Sequence, residues 1–466
     1  MFCGRKEELE ILNKRYNSNQ FEFGFIYGQR RIGKTTLVNE FKKNHNSLIF
    51  FASDTDDVTL KDDFSREFFK QTNQNNLSSF STWQDFFSAI AGYFVDKHGL
   101  VVFDEYPNII QTHDGKRKNT DFDYKLQNAI DSIFKTTKIT IVIMGSNVSF
   151  MERIINDKKG PLYERHTFSL LISKLKWKES LEFVKGMNID DQIKILSLTD
   201  TYPFFLSHIN KEKSFDDNLN NMFFNRDSLI AMDPTSAISS NINITGFYDG
   251  IMRCLASGIN TIKDISLALK AESGKVSLYL AQLIEGKAVR KCVLYNSDKK
   301  TYYEINDRMT AFYFRFVHPY IELIKLGQGL NIRAREENAI KEFLEHSYEK
   351  LCMTYLENLN SENVLESYFL SFYRFSADNT SLGRSVEIDI IASEGNNLLV
   401  GECKFSKNKK GLSEYYEMKE DTNIKPLNTY KNKYYYLFSH SGFDERLLKF
   451  QDDKLHLISS KEMLMV

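Results

Sequence analysis

Phe23 to Thr36 reads FGFIYGQRRIGKTT, an apolar run that turns polar at Gly28-Gln29-Arg30-Arg31-Ile32-Gly33-Lys34-Thr35. That octet has the G-x-x-x-x-G-K-[ST] spacing of a P-loop. Glycines at both ends let the backbone fold tightly enough for successive N–H groups to converge on phosphate oxygens, with no Cβ in the way. Lys34 is then expected to reach the β- and γ-phosphates, and the Thr35 hydroxyl to ligate Mg²⁺. The pattern also predicts a strand before the loop and a helix through Lys34 to Phe41, with Thr36 in its first turn. The N-terminus of that helix adds partial positive charge to the same place. Gly28, Gln29, Arg30, Arg31, Ile32, Gly33, Lys34, Thr35 and Thr36 are therefore candidate nucleotide-binding residues, with ATP and Mg²⁺ as the ligands.

Outward from this stretch, further apolar runs end in polar residues. Gly99-Leu100-Val101-Val102-Phe103-Asp104-Glu105 describes a strand buried on both faces that delivers two carboxylates to one edge of a parallel sheet. Asp104 is the expected partner of Mg²⁺, and Glu105 the expected general base on the attacking water. Ser47 to Ala52 and Ile139 to Met144 repeat the strand pattern. The second stops at Gly145-Ser146-Asn147, where Ser146 or Asn147 can sense the γ-phosphate or the water. The phenylalanines between these strands fall at helical spacing and are expected in the core.

Composition bounds the rest. With 466 residues, of which 42% are hydrophobic and 26% charged, the chain is long enough for about three domains with buried cores. A formal net charge of −1 argues against chain-wide attraction to nucleic acid, though a local basic face is compatible with it. No apolar run reaches membrane-span length, and MFCGRKEELE has no signal-peptide core. The expected location is the cytoplasm, with no membrane partner. Five cysteines without a CxxC pair indicate neither a disulfide framework nor a zinc site.

FCGRKEELEIL, FIYGQRRIGKTTL, LVVFDEY, IMGSNVSFM and GPLYERH occur in this order. The series resembles the archaeal-type ATPase family with a C-terminal DUF234 domain, within the STAND branch of AAA-related ATPases. The resemblance implies ATP hydrolysis. It places Arg5, in the F-x-G-R-x-x-E-L box, near the nucleotide base, and it implies that Arg165 responds to nucleotide or to a neighbouring subunit. One departure stands out: the family tends to carry Gly-Gly two and three residues before a proline, whereas this chain has Asp200-Thr201-Tyr202-Pro203. The residues of the first box, the P-loop and the acidic strand together predict an AAA-like α/β domain over 1–210.

From about Asn210 helices dominate. Phe247 to Ser257, Thr261 to Leu269 and Gly274 to Leu283 read as three helices. Ala288 to Leu294 and Thr301 to Ile305 read as a hairpin around a polar turn at 296–300. Helix, turn, helix and hairpin make a winged helix, expected within a helical domain over 211–330. Lys275, Ser277, Gln282, Arg290, Lys291, Lys299 and Lys300 are the candidate DNA contacts, with a lid or a protein contact as the alternative use of the same fold.

A third domain is expected over 331–466. Ser385 to Ala392 alternates, turns at Glu394-Gly395-Asn396-Asn397, and returns as Leu398 to Phe405. This hairpin sets Glu402 and Lys404 on one face, opposite Asp389. One carboxylate, twelve residues and then E-x-K resembles the restriction-endonuclease-like, or PD-(D/E)xK, core. By that resemblance Asp389 and Glu402 bind Mg²⁺, Lys404 orients or deprotonates the attacking water, and Glu349 on an upstream helix supplies a further acid. The whole then reads as an ATP-controlled protein acting on DNA, with a protein partner allowed and oligomeric state open. Its alternative is a regulatory switch whose nuclease-like domain only binds DNA or protein.

Overall fold

The computed structural model describes residues 2–74, 78–111, 118–228, 246–378 and 380–465, with the side chains of 298–300 left undescribed. Packing divides the chain into two units, the first reaching to Lys174 and the second taking nearly all the rest from Leu175 on. Residues 175–210, which the sequence pattern groups with the first domain, thus pack in the second unit.

The first unit is a five-stranded parallel sheet. Its strands are β1 (Glu22–Tyr27), β2 (Ser47–Phe51), β3 (Gly99–Asp104), β4 (Ile139–Gly145) and β5 (Phe168–Leu171), in the order β2-β3-β4-β1-β5. Every residue of β3 and β4 is buried. Helices α1 (Lys6–Tyr16), α2 (Lys34–Phe41), α3 (Asp57–Gln71), α4 (Trp83–Tyr93), α5 (Phe122–Ser132) and α6 (Val148–Asn156) accompany the sheet. Apolar residues three and four apart turn α3 and α4 inward. Phe64 of α3 and Phe86 of α4 come within 5.2 and 5.0 Å of Phe50 on β2, so these aromatics are core, as expected.

The second unit begins with helices, among them α7 (Ile189–Thr199), α8 (Gly246–Ala256), α9 (Ile262–Leu269) and α10 (Ser273–Glu285). A hairpin of β6 (Val289–Leu294) and β7 (Ser297–Ile305) follows. Its turn is tighter than the sequence suggests: only Tyr295 and Asn296 connect the strands, Asn296 adopts φ +53°, and residues 297–300 already belong to β7. Then come α11 (Glu337–Ser361), β8 (Tyr373–Ala377), β9 (Val386–Glu394), β10 (Asn397–Lys404), α12 (Leu412–Asp421), β11 (Asn432–Ser439) and β12 (Leu455–Ser459). The sheet order is β12-β11-β10-β9-β8. β9 and β10 form the expected antiparallel hairpin, and β10, β11 and β12 run parallel.

The Asp200-Thr201 departure has a structural meaning. Both residues are left-handed, at φ +52° and +55°, where glycine is free of strain and a β-branched residue is not. Asp200 compensates through an ion pair of 3.0 Å with the buried Arg308. Thr201 does not: its hydroxyl is buried without a hydrogen-bond partner. Thr201→Gly is therefore expected to stabilise the second unit by about 1 kcal/mol in urea unfolding. Asp200→Gly, which strands Arg308, should destabilise it by roughly 3 kcal/mol.

Candidate functional site

The P-loop is shaped by close approach. A Cβ on Gly28 would lie 2.3 Å from the carbonyl oxygen of Ile172. At the other end Gly33 takes φ +93° as it leads into α2, the helix over Lys34 to Phe41 that the motif predicts. Lys34 is 6% exposed, and its ammonium donates to the carbonyls of Gly28 and Gln29 at 2.8 and 3.0 Å. Burial lowers its pKa, against the opposing charges of Glu105 and Asp104. Ile32 is buried, while Arg30, Thr35 and Thr36 are exposed and Gln29, Arg31 and Gly33 are half-buried.

The two acids of β3 meet this loop from two strands away. The Thr35 hydroxyl donates to Asp104 Oδ2 at 3.2 Å, and the Glu105 N–H donates to Asp104 Oδ1 at 2.9 Å. Burial and the neighbouring Glu105 raise the Asp104 pKa. Glu105 itself sits at φ +53°, a left-handed conformation that turns the chain sharply at the sheet edge. The Ser146 hydroxyl, at the end of β4, donates to Glu105 Oε2 at 2.9 Å.

Other candidates are held elsewhere. Asn147 caps α6, its Oδ1 accepting from the Phe150 N–H at 3.1 Å. Arg5 is buried, bonded to Glu8, to the Ile32 carbonyl at 3.0 Å and to the Ser173 carbonyl, so its guanidinium braces the P-loop. Arg165 pairs with Asp131 at 2.8 Å. In the second unit, Lys275 lies 4.3 Å over the Phe247 ring, Gln282 accepts from Tyr248, and Arg290 pairs with Glu304 at 2.8 Å. Ser277 and Lys291 are exposed, and the side chains of Lys299 and Lys300 fall outside the described residues.

The second constellation forms on β9 and β10. Asp389 Oδ2 accepts from the Cys403 N–H at 2.9 Å, and Glu402 pairs with Lys404. Burial and then Glu349 push the Asp389 pKa up to about 6. Burial and then Asp389 push Glu402 up to about 7. Glu402 and Lys404 open into a cavity of about 280 Å³ that Glu387, Glu414 and Glu417 also line. Glu349 on α11 is engaged by Arg374 of β8 at 2.8 Å and by His346 at 3.2 Å. Among the described residues no three His, Cys, Asp or Glu side chains gather closely enough to hold a metal ion. Glu349, which the sequence suggests as a further metal ligand beside Asp389 and Glu402, is turned to Arg374. Sequence reasoning missed Arg374, which carries no motif and whose contact depends on how β8 pairs with β9. It also missed the brace that Arg5 provides.

A parallel sheet with a P-loop after β1 and paired acids after β3 defines the fold of a P-loop ATPase. Residues 2–207 match the model of an ATPase domain predominantly from Archaea. Residues 313–417 match DUF234, described as archaeal and bacterial proteins of unknown function. The chain thus carries matches, in order, to the two domains whose arrangement marks the archaeal-type ATPases with a C-terminal DUF234 domain. An uncharacterized protein of Methanocaldococcus jannaschii is 29% identical over 399 residues, 85% of each chain. An uncharacterized ATP-binding protein of the same organism is 48% identical over 44 residues, 9% of this chain and 75% of that one. The Walker-type ATPase of Pyrococcus abyssi superposes with a TM-score of 0.53 at 17% identity, over 67% of this chain and 96% of that chain. Among the described residues no helix is long and apolar enough to cross a membrane.

The raised carboxyls have a consequence for stability. With folded pKa values near 6 and 7 for Asp389 and Glu402, the native state keeps protons that the unfolded chain loses near pH 4. Their contribution is complete below the unfolded pKa and lost as pH rises through the folded values. Glu402→Gln should leave urea stability nearly unchanged at pH 4.5 and raise it by roughly 2 kcal/mol at pH 8. An unaltered stability at pH 8 would contradict this assignment.

Proposed function

We propose that this chain binds and hydrolyses ATP at Lys34, Thr35, Asp104 and Glu105, and that nucleotide state governs what the second unit does with DNA. The observation that carries the first half is the linked set Thr35–Asp104–Glu105–Ser146 beside the buried Lys34. A hydroxyl and a carboxylate 3.2 Å apart are a hard-oxygen pair that suits Mg²⁺, which would neutralise charge developing on the transferred phosphoryl group. Lys34 and the backbone N–H groups of the loop orient the phosphates. Glu105 accepts the proton of the attacking water, and Ser146 holds the Glu105 carboxylate in place.

For the second unit the reading is a Mg²⁺-dependent phosphodiester site in which Asp389 and Glu402 bind the ion and Lys404 orients water. It is supported by the β9–β10 hairpin, which brings these residues to one face. A second reading, a non-cleaving scaffold for DNA or protein, is favoured by one observation: Lys404 and Arg374 already neutralise Glu402 and Glu349. On either reading α8 to α10 and the β6–β7 hairpin act as a winged helix.

The experiment follows ATP hydrolysis and Mg²⁺-dependent cleavage of single-stranded, duplex and branched DNA in the same tubes. Lys34→Ala is expected to abolish nucleotide binding. Glu105→Gln should keep binding and lower kcat by about 10²- to 10⁴-fold. Asp389→Asn should remove cleavage and leave ATP hydrolysis intact; ATP turnover with no cutting of any DNA would select the scaffold.

A further inference from the structure

Arg374 stands between two carboxylates, Glu349 and Asp389. Its Nη2 lies 2.8 Å from Glu349 Oε2 and 4.0 Å from Asp389 Oδ1. His346 takes the other Glu349 oxygen, at 3.2 Å, and the Cys403 N–H takes the other Asp389 oxygen, at 2.9 Å. The guanidinium thus faces the one oxygen of each acid that His346 and the Cys403 N–H leave. Glu402 is paired separately with Lys404 and faces the cavity, whose lining includes neither Arg374 nor Glu349.

We propose that Arg374 is a resident counter-cation that occupies the Glu349 side of this site and keeps a divalent ion from it. The inference rests on reading Asp389, Glu402 and Lys404 as a metal-dependent site. A guanidinium cannot be deprotonated in a protein, so a second cation entering the same gap meets a fixed positive charge at close range, where the two repel. Any ion is then confined to Asp389 and Glu402, and Glu349 serves Arg374. Removing the guanidinium would free the facing oxygens of Glu349 and Asp389 as an oxygen-only pair, the kind of donor that hard divalent cations prefer. Arg374 is in this sense a positioning residue: it decides which carboxylates are available.

The test is Mn²⁺ binding to the full chain without nucleotide, followed by calorimetry and by the paramagnetic resonance signal of free Mn²⁺. An Asp104→Asn background silences the P-loop carboxylate. Arg374→Gln is expected to tighten Mn²⁺ binding at least tenfold or to add a second bound ion. Adding Glu349→Gln should cancel that gain. Arg374→Lys, which keeps the charge, should behave as the parent, and its unfolding curve checks that β8 tolerates substitution. Binding in the parent that Arg374→Gln leaves unchanged or weakens overturns the role of Arg374 alone. Absence of binding in the parent and in Arg374→Gln overturns both this role and the metal-site reading beneath it.

Discussion

The hydrogen bond from Thr35 to Asp104 spans the end of a strand. Because β4 lies between β1 and β3, the loop after β1 reaches the acids after β3 only by crossing above β4. The residue ending β4 is therefore boxed between them, and that residue is followed by Ser146, whose hydroxyl meets Glu105. Topology alone thus sets three side chains from three strands around one point at the carboxyl edge, where ligands of open α/β sheets bind. The same edge demands the tight backbone at Gly28 and Gly33 and the left-handed turn at Glu105. Beside the loop, Arg5 ties the Ile32 and Ser173 carbonyls together.

Much of this arrangement is legible in the chain's local patterns. The P-loop predicts its strand and helix, and the apolar runs at Ser47, Gly99 and Ile139 are β2, β3 and β4. The alternation around Gly395 is the β9–β10 hairpin. Local patterns are enough in each case, since periodicity of two and glycine spacing are properties of contiguous residues. What stays hidden depends on distant pairing. Asp200 and Thr201 read as lost glycines, yet their backbone keeps the glycine-like conformation and Asp200 recruits Arg308, more than a hundred residues away. Glu349 reads as a metal ligand because nothing in its own neighbourhood announces Arg374.

Within the second unit the hairpin and the Asp389 site share a framework. The Tyr295 N–H, in the turn of β6–β7, donates to the Arg374 carbonyl at 2.8 Å, and its hydroxyl donates to Ser393 of β9 at 2.8 Å. Glu304 of β7 pairs with Lys350 at 3.1 Å, one residue beyond Glu349 on α11. Burial alone would raise the Glu304 pKa, but Lys350 and Arg290 outweigh it and hold it near 2. A buried ion pair of this kind is costly to break from one side. Displacement of the hairpin would therefore pull on the strand that carries Arg374 and on the helix that carries Glu349.

The two acidic sites put the same residue types to opposite arrangements. In the first unit the buried lysine is drawn back onto loop carbonyls, Asp104 and Glu105 are satisfied by a hydroxyl or an N–H, and among the described residues neither acid makes an ion pair. In the second unit Lys404 sits on Glu402 and Arg374 on Glu349, so each of these carboxylates has a cation of the protein beside it. Neutral donors leave a carboxylate pair attractive to an external cation, whereas an ion pair must first be opened. The acids beside the P-loop are thus met by neutral donors, whereas Glu402 and Glu349 each carry an ion pair. A signal that moved β8 or α11 would change the second site by releasing charge, without supplying any new residue to it.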